Sequence, residues 1–120
     1  MIEWRLKRVY APPMPEDGLR VLVDRLWPRG LTKPKAKLDL WLKDLAPSDA
    51  WRKRLHADPG QWEAFQTGYA QELEAEPAAS ALAQLRAAAK EARLVSLLFA
   101  AREEAHNNAV VLRDWLVRQG

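Results

Sequence analysis

The residues most suited to chemistry follow a short apolar stretch near the start of the chain. Residues 20–30 read RVLVDRLWPRG, which places Asp24, Arg25 and Arg29 close together, next to Trp27. A guanidinium group binds phosphate or carboxylate through two hydrogen bonds, and a carboxylate can act as a general base. The preceding Val-Leu-Val run indicates a strand in the interior of a sheet. We interpret this stretch as one wall of a ligand site.

A second polar group follows the most apolar run of the chain, residues 94–101. Arg102, Glu103 and His106 come soon after this run, which we predict to be a central strand buried on both faces. Predicted helices separate it from the predicted strand 19–24, a pattern that favours a parallel pair in an α/β sheet. Ligands bind such sheets outside the carboxyl ends of the strands. We therefore expect the two polar groups to meet at one edge of the sheet.

The start of the last predicted helix, near residues 106–108, adds a feature that attracts anions. Asn107 or Asn108 is expected to cap this helix, whose N–H groups and dipole favour negative charge. We predict that this edge binds a small anionic ligand, such as a nucleotide or a phosphorylated metabolite. The arginines expected to bind it are Arg25, Arg29 and Arg102.

Two other functions remain open. A hydrolase or transferase acting on a phosphorylated or nucleic-acid substrate would use Asp24 or Glu103 as base and His106 as acid. A nucleic-acid-binding module would use basic side chains on two segments, although a formal net charge of only +3 argues against a large footprint. Those side chains are Lys33, Lys35, Lys37, Arg52, Lys53 and Arg54.

The same residues also have a structural interpretation. Asp24 would then form an ion pair with Arg25 or Arg102, and His106 would have no part in chemistry. Ser48, which follows a proline, fits a helix N-cap better than a nucleophile.

The order of elements predicts a single α/β domain over residues 1–120, with a small, mostly parallel sheet flanked by helices. We predict a strand over 2–10, a loop over 11–18 and a basic loop over 31–37. Residues 38–45 alternate as in a strand, but their leucines and tryptophan also fit a helix. Ser48, Asp58 and Ser80 are the predicted N-caps of three successive helices.

Composition excludes several classes of site. The chain has no cysteine, which excludes disulfides, thiolate catalysis and cysteine-based zinc sites. His56 and His106 stand in different contexts, so we expect no metal and no cofactor. The first residues lack the apolar run of a signal peptide, and no stretch is long enough to span a membrane, so we expect a cytoplasmic protein.

Four motifs, in this order and at this spacing, resemble the YeaO-like family, a branch of domain of unknown function 488. They read DGLRVLVDRLWPRG, WLKDLAPS, WEAFQTGYAQEL and LLFAAREEAHNNAVVL, and the likeness extends over about residues 5 to 117. The resemblance implies a three-layer, Rossmann-like α/β domain and no established activity. Some family members carry a transcriptional-regulator label, but this chain has no helix-turn-helix pattern to match it.

The last motif departs from the pattern of that branch, which usually reads Glu-His-Asn-His-Ala. Here it reads Ala105, His106, Asn107, Asn108, Ala109, so the glutamate and the second histidine are replaced. The wider family tends to carry Cys-His-Arg at this place, and none of the three stands here. A mechanism that needs those residues is therefore disfavoured. The positions that match the branch are Asp24, Arg25, Arg29, Ser48, His106 and Asn107, and on this match Ser48 and Asn107 join the expected ligand-binding residues.

Overall fold

The structure, a computed structural model, describes residues 1–119 and is built around a four-stranded sheet. The strands are β1 (Glu3–Arg8), β2 (Leu19–Leu22), β3 (Leu40–Trp41) and β4 (Leu94–Phe99). The α-helices are α1 (Lys33–Ala36), α2 (Asp49–Ala57), α3 (Trp62–Leu73), α4 (Ala78–Ala92) and α5 (Asn108–Gln119). Short 3-10 turns occupy Pro15–Asp17, Lys43–Leu45 and Pro59–Gln61.

The sheet is parallel throughout, with the strands in the order β1-β4-β2-β3. β4 lies at the centre, where Leu97 is opposite Leu6 of β1 on one side and Val21 of β2 on the other. The predicted parallel pair between the two most apolar segments is therefore confirmed. Because their carboxyl ends point the same way, the loops that follow them lie at one edge of the sheet.

Both faces of the sheet are covered, as the continuous apolar sequence of its central strands requires. Val21, Val95 and Leu97 lie in the main core together with the buried side chains of α3, α4 and α5. Leu22 and Leu98 point to the opposite face, into a smaller core completed by the chain around α1. The predicted three-layer α/β class is confirmed.

One local prediction about the segment after β2 was wrong, and a second, the short strand, was confirmed only in part. The basic loop 31–37 contains a helical turn, α1, because Thr32 Oγ1 accepts a hydrogen bond from the Lys35 N–H and caps it. Residues 38–45 form neither a full strand nor an α-helix. Only Leu40–Trp41 pair with β2, after which the chain turns through a 3-10 turn that brings Leu45 into the core.

The helix caps were predicted with mixed success. Ser48 Oγ accepts from the Trp51 N–H, so the predicted cap of α2 is confirmed. Asp58 Oδ1 accepts from the Gly60 N–H and caps the 3-10 turn Pro59–Gln61 that leads into α3, whose own N-cap position is Gln61. Ser80 does not cap its helix, because α4 already begins at Ala78. Both the Ser80 N–H and its hydroxyl instead donate to the Glu76 carboxylate, at 2.8 Å.

Helix α2 packs against α3 through the Trp51 side chain. None of its residues is fully buried, but the Trp51 ring packs edge-on against Phe65, with 6.4 Å between ring centroids. The same ring lies over Gly68 of α3, where an added Cβ would come within 2.2 Å of it. The missing side chain of Gly68 therefore lets α2 approach α3 closely.

We expect the substitution Gly68→Ala to destabilise the protein, although alanine is the better helix former by about 1 kcal/mol. The new methyl group would displace the Trp51 ring, and overpacking of this kind typically costs roughly 1–3 kcal/mol. Thr67→Ala, at the exposed neighbouring position, is the matched control and should leave the midpoint of urea unfolding unchanged or raise it. Equal unfolding midpoints for the two variants would show that the position of the Trp51 ring does not require the missing side chain of Gly68.

Candidate functional site

A cavity of about 780 Å³ opens at the carboxyl edge of β2 and β4. Its walls come from three segments: residues 24–29 after β2, residues 46–59 around α2, and residues 100–108 between β4 and α5. Tyr10, after β1, and Phe65 of α3 complete the lining. The volume lies within the range of small-molecule sites in proteins. The two polar groups predicted from the sequence thus border one cavity.

Asp24 holds the carboxyl ends of three strands and the start of α5 together. Its Oδ2 accepts from the Ala100 N–H at 2.9 Å, and its Oδ1 accepts from Asn108 Nδ2 at 3.0 Å. Its backbone carbonyl accepts from Trp41 Nε1 of β3 at 2.8 Å. Asn108 Nδ2 also donates to the Val23 carbonyl at 3.2 Å. Asp24 therefore fixes the position of the loops that form the cavity walls.

The carboxyl group of Asp24 is also partly withdrawn from water. Burial raises its pKa above the ordinary aspartate value, and the hydrogen bonds from Ala100 and Asn108 offset this only in part. Within residues 1–119 it forms no ion pair, so the ion pair with Arg25 or Arg102 considered above is wrong. The groups that donate hydrogen bonds to the Asp24 carboxylate are therefore neutral.

Arg25 and Arg29 line the cavity in different ways. The half-buried Arg25 side chain is directed toward the carbonyls of Ala46 and Pro47, with Nη2 at 3.3 and 3.5 Å from the two oxygens. Arg29 is exposed, and the turn that carries it is fixed by the Tyr10 hydroxyl, which donates to the Arg29 carbonyl at 2.8 Å. One guanidinium is thus restrained at the wall, while the other extends toward solvent.

The loop after β4 contributes His106 and Asn107. His106 is exposed, with its ring centroid 4.7 Å from that of Trp62 and its Nδ1 3.6 Å from Glu103 Oε1. Asn107 is buried: its Nδ2 donates to the Glu103 carbonyl, and its Oδ1 accepts from the Val110 N–H. Asn107 is thus the N-cap of α5, as predicted, and its side-chain donor and acceptor both have partners within the protein.

Two residues expected at the site do not line the cavity. Arg102 is exposed and lies outside the lining, because β4 ends at Phe99 and the following loop directs Ala100 and Ala101 to the cavity instead. The expectation that Arg102 joins Arg25 and Arg29 at the cavity is therefore corrected. Ser48 is also absent from the lining: it caps α2, and its N–H donates to Glu72 Oε1 at 2.9 Å.

Sequence reasoning missed the contribution of α2. Arg52 and His56 stand four residues apart, on one face of the helix, and both line the cavity together with Leu55. The nucleic-acid hypothesis treats Arg52, Lys53 and Arg54 as one basic group. The structure separates them, because the Arg54 guanidinium lies over the Trp51 ring, 4.5 Å from its centroid. The spacing of Arg52 and His56 is visible in the sequence, but what they face depends on how α2 packs.

Residues 1–119 contain no group of three or more His, Asp or Glu side chains placed to hold a metal ion. In the same part of the chain, no helix is both long and apolar enough to cross a membrane.

Comparison with known proteins assigns the chain to a family. The family model described as "Inactive DUF488-N3 subclade" matches residues 3–119. This chain belongs to the DUF488 family. It is 42% identical to "Uncharacterized protein YeaO" of Escherichia coli (strain K12) over 111 residues, which cover 92% of this chain and 93% of that protein.

Relatives of this DUF488 protein also occur in mycobacteria. It is 38% identical over 112 residues to "Uncharacterized protein Rv3073c" of Mycobacterium tuberculosis (strain ATCC 25618 / H37Rv), covering 93% of this chain and 92% of that protein. No solved structure matches the chain significantly. The resemblance described from the sequence motifs is confirmed.

The raised pKa of Asp24 predicts the pH dependence of one variant relative to the native chain. Because the folded chain takes up this proton before the unfolded chain does, Asp24 favours folding increasingly as the pH falls from the folded pKa toward the unfolded value of about 4. Asp24→Asn cannot titrate. We therefore expect the unfolding free energy of the native chain, minus that of Asp24→Asn, to increase as the pH falls from 7 to about 4.

Urea unfolding at several pH values measures this difference. Asp17→Asn provides the opposite sign as a control. Burial alone would raise the Asp17 pKa, but hydrogen bonds from Lys7, the Met14 N–H and Arg20 outweigh it and lower the pKa. The stability that Asp17 contributes should therefore be lost as the pH falls below about 4. If the difference in unfolding free energy between the native chain and Asp24→Asn does not change with pH, the raised pKa of Asp24 is wrong.

Proposed function

We propose that the cavity binds a small anionic ligand, a nucleotide or a phosphorylated metabolite, and that the protein acts by binding rather than by catalysis. The observation that carries this proposal is the placement of Arg25 and Arg29 beside the start of α5 in one cavity. An anion there would meet guanidinium donors and the positive end of the α5 dipole. The absence of cysteine leads us to propose a reducing compartment, the cytoplasm, as its location.

The restrained position of Arg25 supports anion binding. A guanidinium that is already held in place loses less side-chain freedom when it binds a ligand than a freely moving one does. Its contacts with Ala46 and Pro47 are long, at 3.3 and 3.5 Å, and they are with uncharged carbonyls. A phosphate oxygen would form a shorter, charge-assisted bond.

The surroundings of Asp24 support binding over catalysis. Each of its carboxylate oxygens accepts a hydrogen bond from the protein, which suits a support for the cavity better than a base. The subclade that matches this chain is described as inactive, and the names of the two relatives state no activity. The second histidine of the branch motif is replaced by Asn108, which donates to Asp24.

A hydrolase or transferase is the second candidate, and the raised pKa of Asp24 is the observation that favours it. Perturbed carboxyl groups in cavities are characteristic of active sites. In that case, turnover of a phosphorylated substrate would be lost in both Asp24→Asn and His106→Ala while folding is retained. Turnover that is unaffected by either substitution would exclude this assignment.

We expect Arg25→Gln to weaken the binding of phosphate-containing ligands. Saturating ligand, at about 100 times its dissociation constant, should stabilise the native protein by roughly 2.7 kcal/mol, which a thermal-shift screen of phosphate, sulfate and nucleotides detects. The variant should lose most of this shift, since the remaining contacts lack the restrained guanidinium. Arg118→Gln removes an exposed arginine outside the cavity and should retain the full shift.

The screen contradicts the proposal if no anion raises the melting temperature of the native chain. Equal shifts in Arg25→Gln and Arg118→Gln would also contradict it, because binding would then reflect overall charge rather than this cavity. Both comparisons are made at low ionic strength, where charge-dependent binding is strongest.

A further inference from the structure

We propose that α2 supplies a second recognition surface in the cavity and that the ligand is a nucleoside monophosphate. In this arrangement Arg52 and His56 bind the phosphate together with Arg25, and the planar base packs against Leu26 and Leu55. This inference rests on the proposed anion-binding function and adds the ligand class and the residues that select it.

Arg52 is free to change partners. Its exposed ion pair with Asp49 of the same helix is 3.2 Å long, and exposed pairs of this kind contribute little to stability. A phosphate in the cavity would replace one exposed carboxylate with a doubly charged group flanked by a second guanidinium, from Arg25. Since His56 lies one turn further along α2 on the same face, both side chains reach the ligand from the same wall.

The apolar lining indicates that the ligand is more than inorganic phosphate. Leu26 lines the cavity although it is 63% exposed, and it stands between Asp24-Arg25 and Arg29 in a strongly polar stretch. Leu55 of α2, which is only partly buried, also lines the cavity. A phosphate ion would leave these two side chains in contact with water. A planar base would cover them, and removing this apolar surface from water favours binding.

The charges of the lining also suit a singly phosphorylated ligand. Three arginines and two carboxylates line the cavity: Arg25, Arg29, Arg52, Asp24 and Glu103. The excess of positive charge is therefore small, and most of the binding free energy beyond a single phosphate must come from the apolar surfaces.

Isothermal titration of the full-length chain with adenosine 5′-monophosphate, inorganic phosphate and adenosine tests this proposal. We expect the nucleotide to bind at least about tenfold more tightly than phosphate. Arg52→Gln should weaken nucleotide binding about tenfold, the effect of losing about 1.4 kcal/mol of charge-assisted hydrogen bonding. Leu26→Ser should weaken binding of the nucleotide and leave that of phosphate unchanged. Lys53→Gln, an exposed cation of α2 outside the lining, is the matched control and should leave both affinities unchanged.

The outcomes separate this inference from the proposed function. Equal binding of nucleotide and phosphate would contradict the proposed ligand class. If Arg52→Gln behaves as Lys53→Gln does, the proposed role of α2 is wrong. If phosphate binds the native chain and this binding is lost in Arg25→Gln, the proposed anion site is still supported. If neither ligand binds the native chain, both proposals fail. A single-stranded hexanucleotide with a 5′-phosphate serves as a further arm: tighter binding than the mononucleotide, with the same dependence on Arg52 and Leu26, would identify a nucleic-acid terminus as the source of the nucleotide.

Discussion

The architecture of the cavity depends on the carboxylate of Asp24. The strands of a parallel sheet end at one edge, but the loops that follow them have no backbone pairing to keep them at a fixed separation. Asp24 provides that connection, because its side chain accepts hydrogen bonds from the ends of two other elements while its carbonyl binds Trp41. The walls after β2 and β4 are therefore positioned by one residue, and two neutral donors offset part of the cost of burying its carboxylate.

The YeaO-like motif Glu-His-Asn-His-Ala has a second histidine where this chain has Asn108. This replacement is consistent with the role of Asp24 in connecting the loops. An amide NH2 group carries two hydrogens on one nitrogen, so Asn108 donates to Asp24 and to the Val23 carbonyl at once. Each nitrogen of an imidazole carries at most one hydrogen. In this chain the position thus supplies a double donor that fastens α5 to β2, in place of a side chain that could titrate.

The sequence predicted features that depend on local patterns, and it failed where packing decides. The apolar runs identified the central strands, and their separation by helices indicated parallel pairing. Capping by Ser48 and Asn107 was predicted because it involves residues only three positions apart. The exclusion of Arg102 from the cavity depends on where β4 stops pairing, and the inclusion of Arg52 depends on the contact of Trp51 with Gly68. Both features depend on how distant segments pack, and such packing leaves no pattern in the local sequence.

The central position of β4 has a consequence for how the chain acquires its structure during synthesis. β4 is the last strand in the sequence, yet both β1 and β2 pair with it, and the pairing of β2 with β3 extends over only two residue pairs. In an emerging chain, β1 and β2 therefore lack the strand that lies between them until residue 99 has left the ribosome. Long-range pairing of this kind folds slowly and leaves strand edges open to aggregation. The sheet is complete only once β4 is inserted between the two strands that precede it.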